Sequence, residues 1–270
     1  MNECIPASDA SGAAHPWGRA PPHPALSGAD VHLWCVALDR PPWPLERLAQ
    51  TLSADENHRA DAFVFAADQR RFLAARGVLR MLLGHYLDRA PESIGFGYGP
   101  NGKPELERPG GNPPVCFNYS HSQGLALYAV TREGRIGVDL EALRPLPDAE
   151  QMARLCCSFR EQLALAAVPA DRRAEAFLGA WTIKEAYVKA TGDGLAGRLD
   201  RIEVALTSGG VPEFHAADGD PDTAARWSVR LLSPAAGHVA ACAVERHGYR
   251  LRCWSLDDSA AGWTLWGLRR

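Results

Sequence analysis

Two acidic residues, Asp139 and Glu141, lie two positions apart in the otherwise apolar run IGVDLE. The alternation predicts a β-strand on which both carboxylates share one face, about 6–7 Å apart at the backbone. Bringing two negative charges to about 5 Å costs roughly 3 kcal/mol at an effective dielectric near 20. On a solvated edge strand, water relieves this repulsion. If a third acid joins the pair, a divalent cation becomes the natural remedy.

Glu185 is the candidate for the third acid. It lies in residues 177–195, where Trp181, Glu185 and Lys189 are four residues apart and so form one stripe of a predicted helix. Taken alone, this stripe is an ordinary surface Glu-Lys pair worth about 0.3–0.5 kcal/mol. If Glu185 points at the strand pair, the all-oxygen ligand set favours Mg²⁺.

Two further segments carry groups that suit an anion. The run FNYSHS offers Asn118, Ser120 and His121 just before an alternating strand pattern, and the turn NGKP offers Lys103. Hydroxyl and imidazole donors suit a phosphate, while turn chemistry is the alternative for the first run and a solvated turn for the second. A Ser-His nucleophile pair is disfavoured, because adjacent residues rarely face each other and no GxSxG elbow is present.

Lysine is scarce in this chain. Of 29 basic residues, only Lys103, Lys184 and Lys189 are lysines. Because arginine fills the other cationic positions, these three suggest sites that need a compact ammonium rather than a planar guanidinium. Two of them fall in the helix that carries Glu185.

Composition limits the class of protein. The 270 residues are 46% hydrophobic with a net charge of −3, so no general attraction to nucleic acid or membrane is expected. No apolar run approaches the roughly 18 residues of a membrane span, and the first residues lack the features of a secretory signal. Seven cysteines, with Cys156 and Cys157 adjacent and no CxxC pair, argue against a disulfide framework or a zinc site. We therefore expect a reduced, cytoplasmic protein.

The predicted elements that position these residues recur along the chain. A strand, a capping box and an amphipathic helix appear in the first half and again 105 residues later, and a shift of 114 relates 125–130 to 239–244. The matched residues are Leu38 with Leu143, Ser53 with Ser158, Glu56 with Glu161, Phe72 with Phe177 and Ala75 with Ala180. We predict an α+β fold of two pseudo-twofold-related halves with a ligand in the cleft between them. Arg80 stands where the second half has Glu185, so the acidic site should exist only once.

Four segments follow from this pattern. Residues 1–29 read as a loose arm rich in Pro, Ala, Gly and Ser, 30–135 as the N-terminal half, and 136–250 as the C-terminal half. The remaining tail, 251–270, contains Trp254, Trp263 and Trp266, which would cover the core or contact a partner.

With these motifs in view, the chain resembles the surfactin-type (Sfp-type) 4′-phosphopantetheinyl transferases. GVDLE is similar to the family's G-[IV]-D-x-E, and WTIKEAYVKATG to its W-x-x-K-E-[AS]-x-x-K-x-x-G. FNYSHS is similar to FN-x-SHS, and NGKP to the GKP turn. Four linked motifs in the family's order, over about residues 31–245, make the resemblance specific.

The resemblance implies a two-half fold with the active site in the central cleft. It implies Mg²⁺ on Asp139, Glu141 and Glu185, bridging the pyrophosphate of coenzyme A. A serine hydroxyl of an acyl, peptidyl or polyketide carrier protein would attack the β-phosphate and accept the phosphopantetheine arm, and 3′,5′-ADP would leave. Such transfer depends mainly on positioning and charge neutralisation, which suits a metal and a lysine.

The resemblance also implies roles for other residues. Lys189 would stabilise the developing phosphate charge, Ser120 and His121 would hold coenzyme A phosphates, and Lys103 would lie near the adenosine end. The remaining candidates for binding coenzyme A are Asn101, Gly102 and Asn118, with Arg59, Arg71 and Arg76 for the 3′-phosphate. Among these arginines, Arg59 is the better match. The general base is left open between Glu161, Glu185 and a Mg²⁺-bound water.

Two other functions are weighed against this transferase. The first is a docking protein of the same fold that binds carrier proteins without catalysis, and the second is a Mg²⁺-dependent pyrophosphate hydrolase. The intact acids and Lys189 argue against the first, while the hydrolase would need no surface for a carrier. A monomer is the easier expectation for a chain with two fused halves.

Overall fold

Alternating and amphipathic patterns fold into twelve strands and seven helices in the described part of this computed structural model, which covers residues 17–21, 24–107, 115–194, 199–207, 209–220 and 222–257. The strands are β1 (Gly18–Arg19), β2 (Asp30–Ala37), β3 (Phe96–Tyr98), β4 (Pro104–Leu106), β5 (Cys116–Ser122), β6 (Leu125–Thr131), β7 (Ile136–Ala142), β8 (Ile202–Leu206), β9 (Pro212–Ala217), β10 (Ser228–Leu232), β11 (His238–Val244) and β12 (Arg250–Leu256). The helices are α1 (Leu45–Gln50), α2 (Ala54–Asp61), α3 (Ala66–Leu87), α4 (Ala149–Cys156), α5 (Phe159–Ala167), α6 (Ala170–Thr191) and α7 (Thr223–Arg226).

Two main sheets divide the strands between them. The larger has the order β1-β12-β2-β6-β5, and the smaller has the order β10-β11-β7. β3 pairs with β4, and β8 pairs with β9, as two-stranded hairpins. The α+β fold class predicted from the sequence is confirmed. None of the helices in the described ranges is long and apolar enough to cross a membrane.

The predicted capping boxes are present in both halves. Ser53 accepts a hydrogen bond from the amide of Glu56 at the start of α2, and Ser158 does the same with Glu161 at the start of α5. Each short helix is followed by a helix of 22 residues, α3 in the first half and α6 in the second. The local pattern that repeats in the sequence therefore repeats in the fold.

Helix α6 lies unusually close to strand β7 at Gly137. A β-carbon added there would overlap the carbonyl oxygen of Ala186 and the amide of Ala190. Because α6 and β7 carry the candidate site, this close approach sets the distance between their functional side chains.

The last described strand belongs to the first-half sheet. β12 pairs in parallel with both β1 and β2, and Trp254 is only 5% exposed, with its ring 4.7 Å from that of Trp34. The sequence predicts residues 251–270 as a separate tail, because the resemblance to the family covers only about residues 31–245. The alternation of RLRCWSL instead makes 250–256 a strand of the N-terminal half. Trp263, Trp266 and the first part of the arm, 1–16, lie outside the described residues.

We expect Gly137→Ala to destabilise the fold by about 1–3 kcal/mol or more, because the added methyl meets backbone atoms that only a shift of α6 can relieve. Urea unfolding followed by circular dichroism measures the change. Gly97→Ala is the matched control, since nothing lies within 4 Å of a β-carbon at Gly97, and its effect should stay within about 0.5 kcal/mol. Equal midpoints for the two variants would contradict the close packing of α6 on β7.

Candidate functional site

The two main sheets meet where strand β5 faces strand β7. Asn118 and Ser122 point from β5 toward β7, because residues two apart on a strand share a face. The Asn118 Oδ1 atom accepts a hydrogen bond from the amide of Val138 at 2.9 Å, and the Ser122 hydroxyl donates to Glu141 Oε2 at 3.1 Å. Side-chain bonds thus connect two edge strands that the described sheets leave in separate ladders.

Ser120, Asp139 and Lys189 form the centre of this junction. The Lys189 ammonium donates to Asp139 Oδ1 at 2.6 Å and to the Ser120 hydroxyl at 3.0 Å, and that hydroxyl lies 3.0 Å from the same Asp139 oxygen. Asp139 is only 4% exposed. Strand β5, strand β7 and helix α6 each contribute one residue, so three elements distant in sequence converge at one point.

The predicted metal ligands influence one another electrostatically. The pKa of Glu185 is raised, chiefly by burial and then by the negative charges of Asp139 and Glu141. The pKa of Glu141 is raised by burial and by Asp139, although the bond from Ser122 acts in the opposite direction. The three acids of the sequence prediction therefore lie within electrostatic range of one another.

We tested the fit of a metal to this cluster on the Asp139 carboxylate. Its Oδ2 atom is buried and has no hydrogen-bond partner among the described residues, while Lys189 lies against Oδ1. No group of three or more His, Cys, Asp and Glu side chains in the described ranges is arranged to hold a metal ion. In this arrangement, the ammonium supplies the positive charge beside Asp139. The donor chemistry of three carboxylates suits a hard cation such as Mg²⁺, but the described side chains do not stand in a ligating arrangement.

A cleft of about 470 Å³ opens beside the junction. Its lining residues are Asn101, Gly102, Lys103, Pro104, Asn118, Tyr119, Ser120, His121, Glu185, Val188, Lys189, Gly192 and Gly194. Seven of the positions predicted to bind coenzyme A or to catalyse transfer are therefore neighbours in one cleft, together with Glu185. Tyr119 and Val188 were not among those candidates, and the period-two pattern of β5 and the period-four stripe of α6 gave no signal for them.

Lys103 is held by the protein backbone rather than presented on a solvated turn. Its ammonium donates to the carbonyl of Ala190 at 3.1 Å and to that of Ile136 at 3.3 Å, and burial lowers its pKa. Asn101 donates in turn to the carbonyl of Gly192 at 2.9 Å. The NGKP turn is thereby attached to the C-terminal end of α6, which fixes one wall of the cleft.

His121 lies at the exposed edge of the cleft. Its pKa is lowered, first by loss of hydration and second by the charge of Lys189. The imidazole is therefore neutral over a wider pH range than an ordinary histidine and offers one donor and one acceptor nitrogen.

The three arginines predicted for the 3′-phosphate do not line this cleft. Arg76 is buried, and its Nε donates to Glu56 at 2.7 Å, while its terminal nitrogens approach the hydroxyls of Tyr98 and Tyr119. Arg80 binds the second oxygen of Glu56, also at 2.7 Å. Arg76 thus belongs to a buried ion cluster, and Tyr119 separates it from the cleft.

Arg71 and Arg59 differ in their surroundings. Arg71 forms a bidentate pair with Asp39, at 2.8 and 2.9 Å. Arg59 is exposed, and its guanidinium lies 5.6 Å from the ring centre of Phe72. Of the three, Arg59 is the one whose guanidinium has no carboxylate partner in the described part of the chain.

Glu161, one of three candidates for the general base, is buried away from the cleft. One carboxylate oxygen accepts from the Lys184 ammonium at 2.8 Å, and the other accepts from the amide of Val204, also at 2.8 Å. Lys184 is fully buried and also donates to the carbonyls of Cys156 and Leu199. This geometry gives Glu161 a structural role, and Glu161 is not among the residues that line the cleft.

Comparison with known proteins identifies the class of protein. Two family models match in tandem: "4′-phosphopantetheinyl transferase, N-terminal" over residues 42–133 and "4′-phosphopantetheinyl transferase superfamily" over 135–243. The chain is 42% identical to the 4′-phosphopantetheinyl transferase HetI of Nostoc sp. over 240 residues, which cover 89% of this chain and 98% of HetI.

Two further relatives carry the same description. The AcpT transferase of Salmonella typhi is 33% identical over 58% of this chain and 78% of its own length. A 4′-phosphopantetheinyl transferase of Bacillus subtilis is 28% identical over 70% of this chain and 83% of its own length. The chain belongs to the 4′-phosphopantetheinyl transferase superfamily. The expectation of an enzyme of this class is confirmed.

We expect Glu161→Ala to lower the free energy of unfolding by about 3–5 kcal/mol, because it leaves the buried Lys184 ammonium without its counter-charge. Urea unfolding measures the loss. The double variant Glu161→Leu/Lys184→Met should recover most of it, since both charges are then removed. Glu150→Ala is the control: its partner Arg173 lies 3.9 Å away at the surface, so a change within about 0.5 kcal/mol is expected. A stable Glu161→Ala protein would contradict the structural role.

Proposed function

We propose that this chain transfers the 4′-phosphopantetheine arm of coenzyme A to a serine of an apo carrier protein. The observation that carries the proposal is the convergence of Ser120, Asp139 and Lys189 at one junction, where Ser120 and Lys189 line a cleft together with Glu185. Family membership supports the same reaction. We further propose the Sfp-type subfamily, because one chain matches both the N-terminal and the superfamily models.

Asp139, Glu141 and Glu185 would hold Mg²⁺. When bound, the ion would neutralise charge on the pyrophosphate of coenzyme A. Two observations support this assignment: the buried Asp139 Oδ2 atom lacks a partner among the described residues, and the pKa values of both glutamates are raised by burial and then by neighbouring negative charge.

Lys189 and the serine-histidine pair of β5 would bind the phosphates. The Lys189 ammonium already touches the Ser120 hydroxyl at 3.0 Å, so a phosphate beside that hydroxyl would lie within reach of both. Neutral His121 would donate one further hydrogen bond from the cleft edge. The turn at Asn101 and Lys103 would form the wall against the adenosine end, and exposed Arg59 is the candidate for the 3′-phosphate.

Glu185 is the residue we assign to accept the proton of the attacking serine. Of the two glutamates proposed as bases it is the one that lines the cleft, where a hydroxyl can reach its carboxylate. Glu161 has no such access, because its oxygens are taken by Lys184 and Val204. Removal of the proton from the serine hydroxyl would let its oxygen attack the β-phosphate, with 3′,5′-ADP leaving.

The acceptor would be an acyl, peptidyl or polyketide carrier protein, and the enzyme would act as a cytoplasmic monomer. Residues 30–135 and 136–250 would be the two halves that form the cleft, with 250–256 contributing a strand to the first.

We expect Asp139→Ala and Glu185→Ala to abolish transfer while leaving the fold intact. Each variant is incubated with coenzyme A, Mg²⁺ and an apo carrier protein, and the carrier is weighed by mass spectrometry. Only the wild type and the control Glu203→Ala, an exposed residue of β8, should add one phosphopantetheine group. Wild-type transfer by either acidic variant would count against the site. Release of 3′,5′-ADP without a heavier carrier would indicate hydrolysis, and neither product would indicate docking alone.

We expect Glu185→Gln to raise the melting temperature in EDTA at pH 7.5, by roughly 2–4 °C. A carboxyl whose pKa is raised in the folded state binds more protons there than in the unfolded chain. Stability therefore falls as the pH rises above the ordinary value of 4.5. The gain should vanish near pH 4, where the glutamate is protonated in both states.

Added Mg²⁺ provides the second arm of the same experiment. It should raise the melting temperature of the wild type, because a ligand that binds only the folded state stabilises it. Glu185→Gln should respond much less. A wild type indifferent to Mg²⁺, or a variant that melts below it in EDTA, would reject the three-carboxylate metal site.

A further inference from the structure

Two adjacent cysteines at the end of helix α4 take no part in the proposed reaction. Cys156 is the last residue of α4 and Cys157 follows it, and their sulfur atoms are 3.7 Å apart. Both are buried, at 4% and 5% exposure. The fold therefore places these two thiols where they can react with each other.

The two thiols are chemically unequal. A hydrogen bond with Cys157 lowers the pKa of Cys156, and the nearby Lys184 ammonium acts in the same direction. The pKa of Cys157 is raised by the same bond and by burial. In contrast, the buried Cys242 and Cys253 have raised pKa values, chiefly from burial. Cys156 is thus the more reactive sulfur, with Cys157 beside it as a resolving thiol.

A cavity lies beside the helices that precede and follow the pair. This cavity of about 230 Å³ is lined by Ala153, Gln162, Leu165 and Phe177, among others. Three of these residues pack in the same apolar cluster as both cysteines, and the Gln162 side chain donates to the carbonyl of Cys157 at 3.0 Å. Neither cysteine lines the cavity, so a small reagent such as peroxide reaches the sulfurs when side chains of this cluster move aside.

We propose that Cys156 and Cys157 are an oxidation site that a peroxide converts into a disulfide between adjacent residues. The Cys156 sulfur attacks one peroxide oxygen, the O–O bond breaks, and the second oxygen leaves as water after taking a proton, giving a sulfenic acid. The Cys157 sulfur then displaces hydroxide from the Cys156 sulfur, which forms the S–S bond and a second water. Two thiols lose two electrons and two protons, and the peroxide is reduced to two waters.

Closing this ring would disturb the hydrogen bonds of the peptide between the two cysteines. The Cys156 carbonyl accepts from Lys184 at 3.0 Å, and the Cys157 amide donates to Ala153 at 2.9 Å. Adjacent residues lie closer than the usual spacing of bridged cysteines, so this peptide must turn for the sulfurs to bond. Lys184 would lose one of its three acceptors, immediately before Glu185 in α6. Oxidation would therefore lower transfer activity, an effect that rests on the proposed function.

The first test needs no activity. The full-length protein is treated with hydrogen peroxide, its remaining thiols are blocked, and the peptide that spans Cys156 and Cys157 is weighed. We expect a peptide lighter than its reduced form by two hydrogen atoms, restored by dithiothreitol. Cys156→Ser should not show this loss, and Cys157→Ala serves as a second variant if the first fails to fold. Two blocked thiols, or sulfinic acid on Cys156 without loss of hydrogen, would overturn the proposal.

The second test measures transfer before and after peroxide. The wild type and the control Cys253→Ser should lose activity severalfold and regain it with dithiothreitol, whereas Cys156→Ser should keep its activity. Equal loss in Cys156→Ser would overturn the link between the disulfide and α6. If no transfer occurs in any sample, the proposed function fails, while the mass experiment still decides whether the disulfide forms.

Discussion

The ion pair between Lys189 and Asp139 is the interaction on which the rest of the site depends. At 2.6 Å, with Asp139 almost fully buried, it attaches helix α6 to the edge of one sheet, and the shared Ser120 hydroxyl attaches it to the edge of the other. Burying an unpaired carboxylate would cost free energy, so Lys189 stabilises the junction. The same ammonium would also bind a phosphate in the proposed reaction. The Lys189 ammonium, the Asp139 carboxylate and the Ser120 hydroxyl therefore hold the junction together and would also take part in the proposed reaction.

The two halves share an arrangement of helices and buried ion pairs but differ in the residues of the equivalent strands. In each, the capping glutamate of a short helix is buried and neutralised from the following 22-residue helix: Glu56 by two arginines and Glu161 by Lys184. At the position equivalent to Asp139, the first half has Trp34, which is wholly buried. The ion pairs of both halves therefore stabilise the fold. Strand β7 carries an acid at the position where the equivalent strand β2 packs Trp34 into the core.

The features that could be predicted from the sequence are those that depend on residues close together in the chain. Alternation placed the two acids of β7 on one face, helical spacing placed Glu185 and Lys189 on one stripe, and the capping boxes follow directly from their residue types. The sequence could not indicate pairings fixed by tertiary contact. Arg76 is buried by Glu56, twenty residues earlier, and Lys103 is held by carbonyls that no side-chain pattern reveals. Family motifs likewise gave no signal for β12.

Strand β12 has a consequence for how the chain assembles. It lies between β1 and β2, so the central order of the first-half sheet includes a segment synthesised after nearly all of the second half. During translation, one hydrogen-bonding edge of β2 stays unpaired until β12 has been synthesised. An unpaired edge can pair with the wrong strand. Cutting the polypeptide between its halves would likewise separate that sheet from its inner strand. The two halves thus share a sequence pattern, but the sheet of the first half is completed only by a strand that follows the second half in the chain.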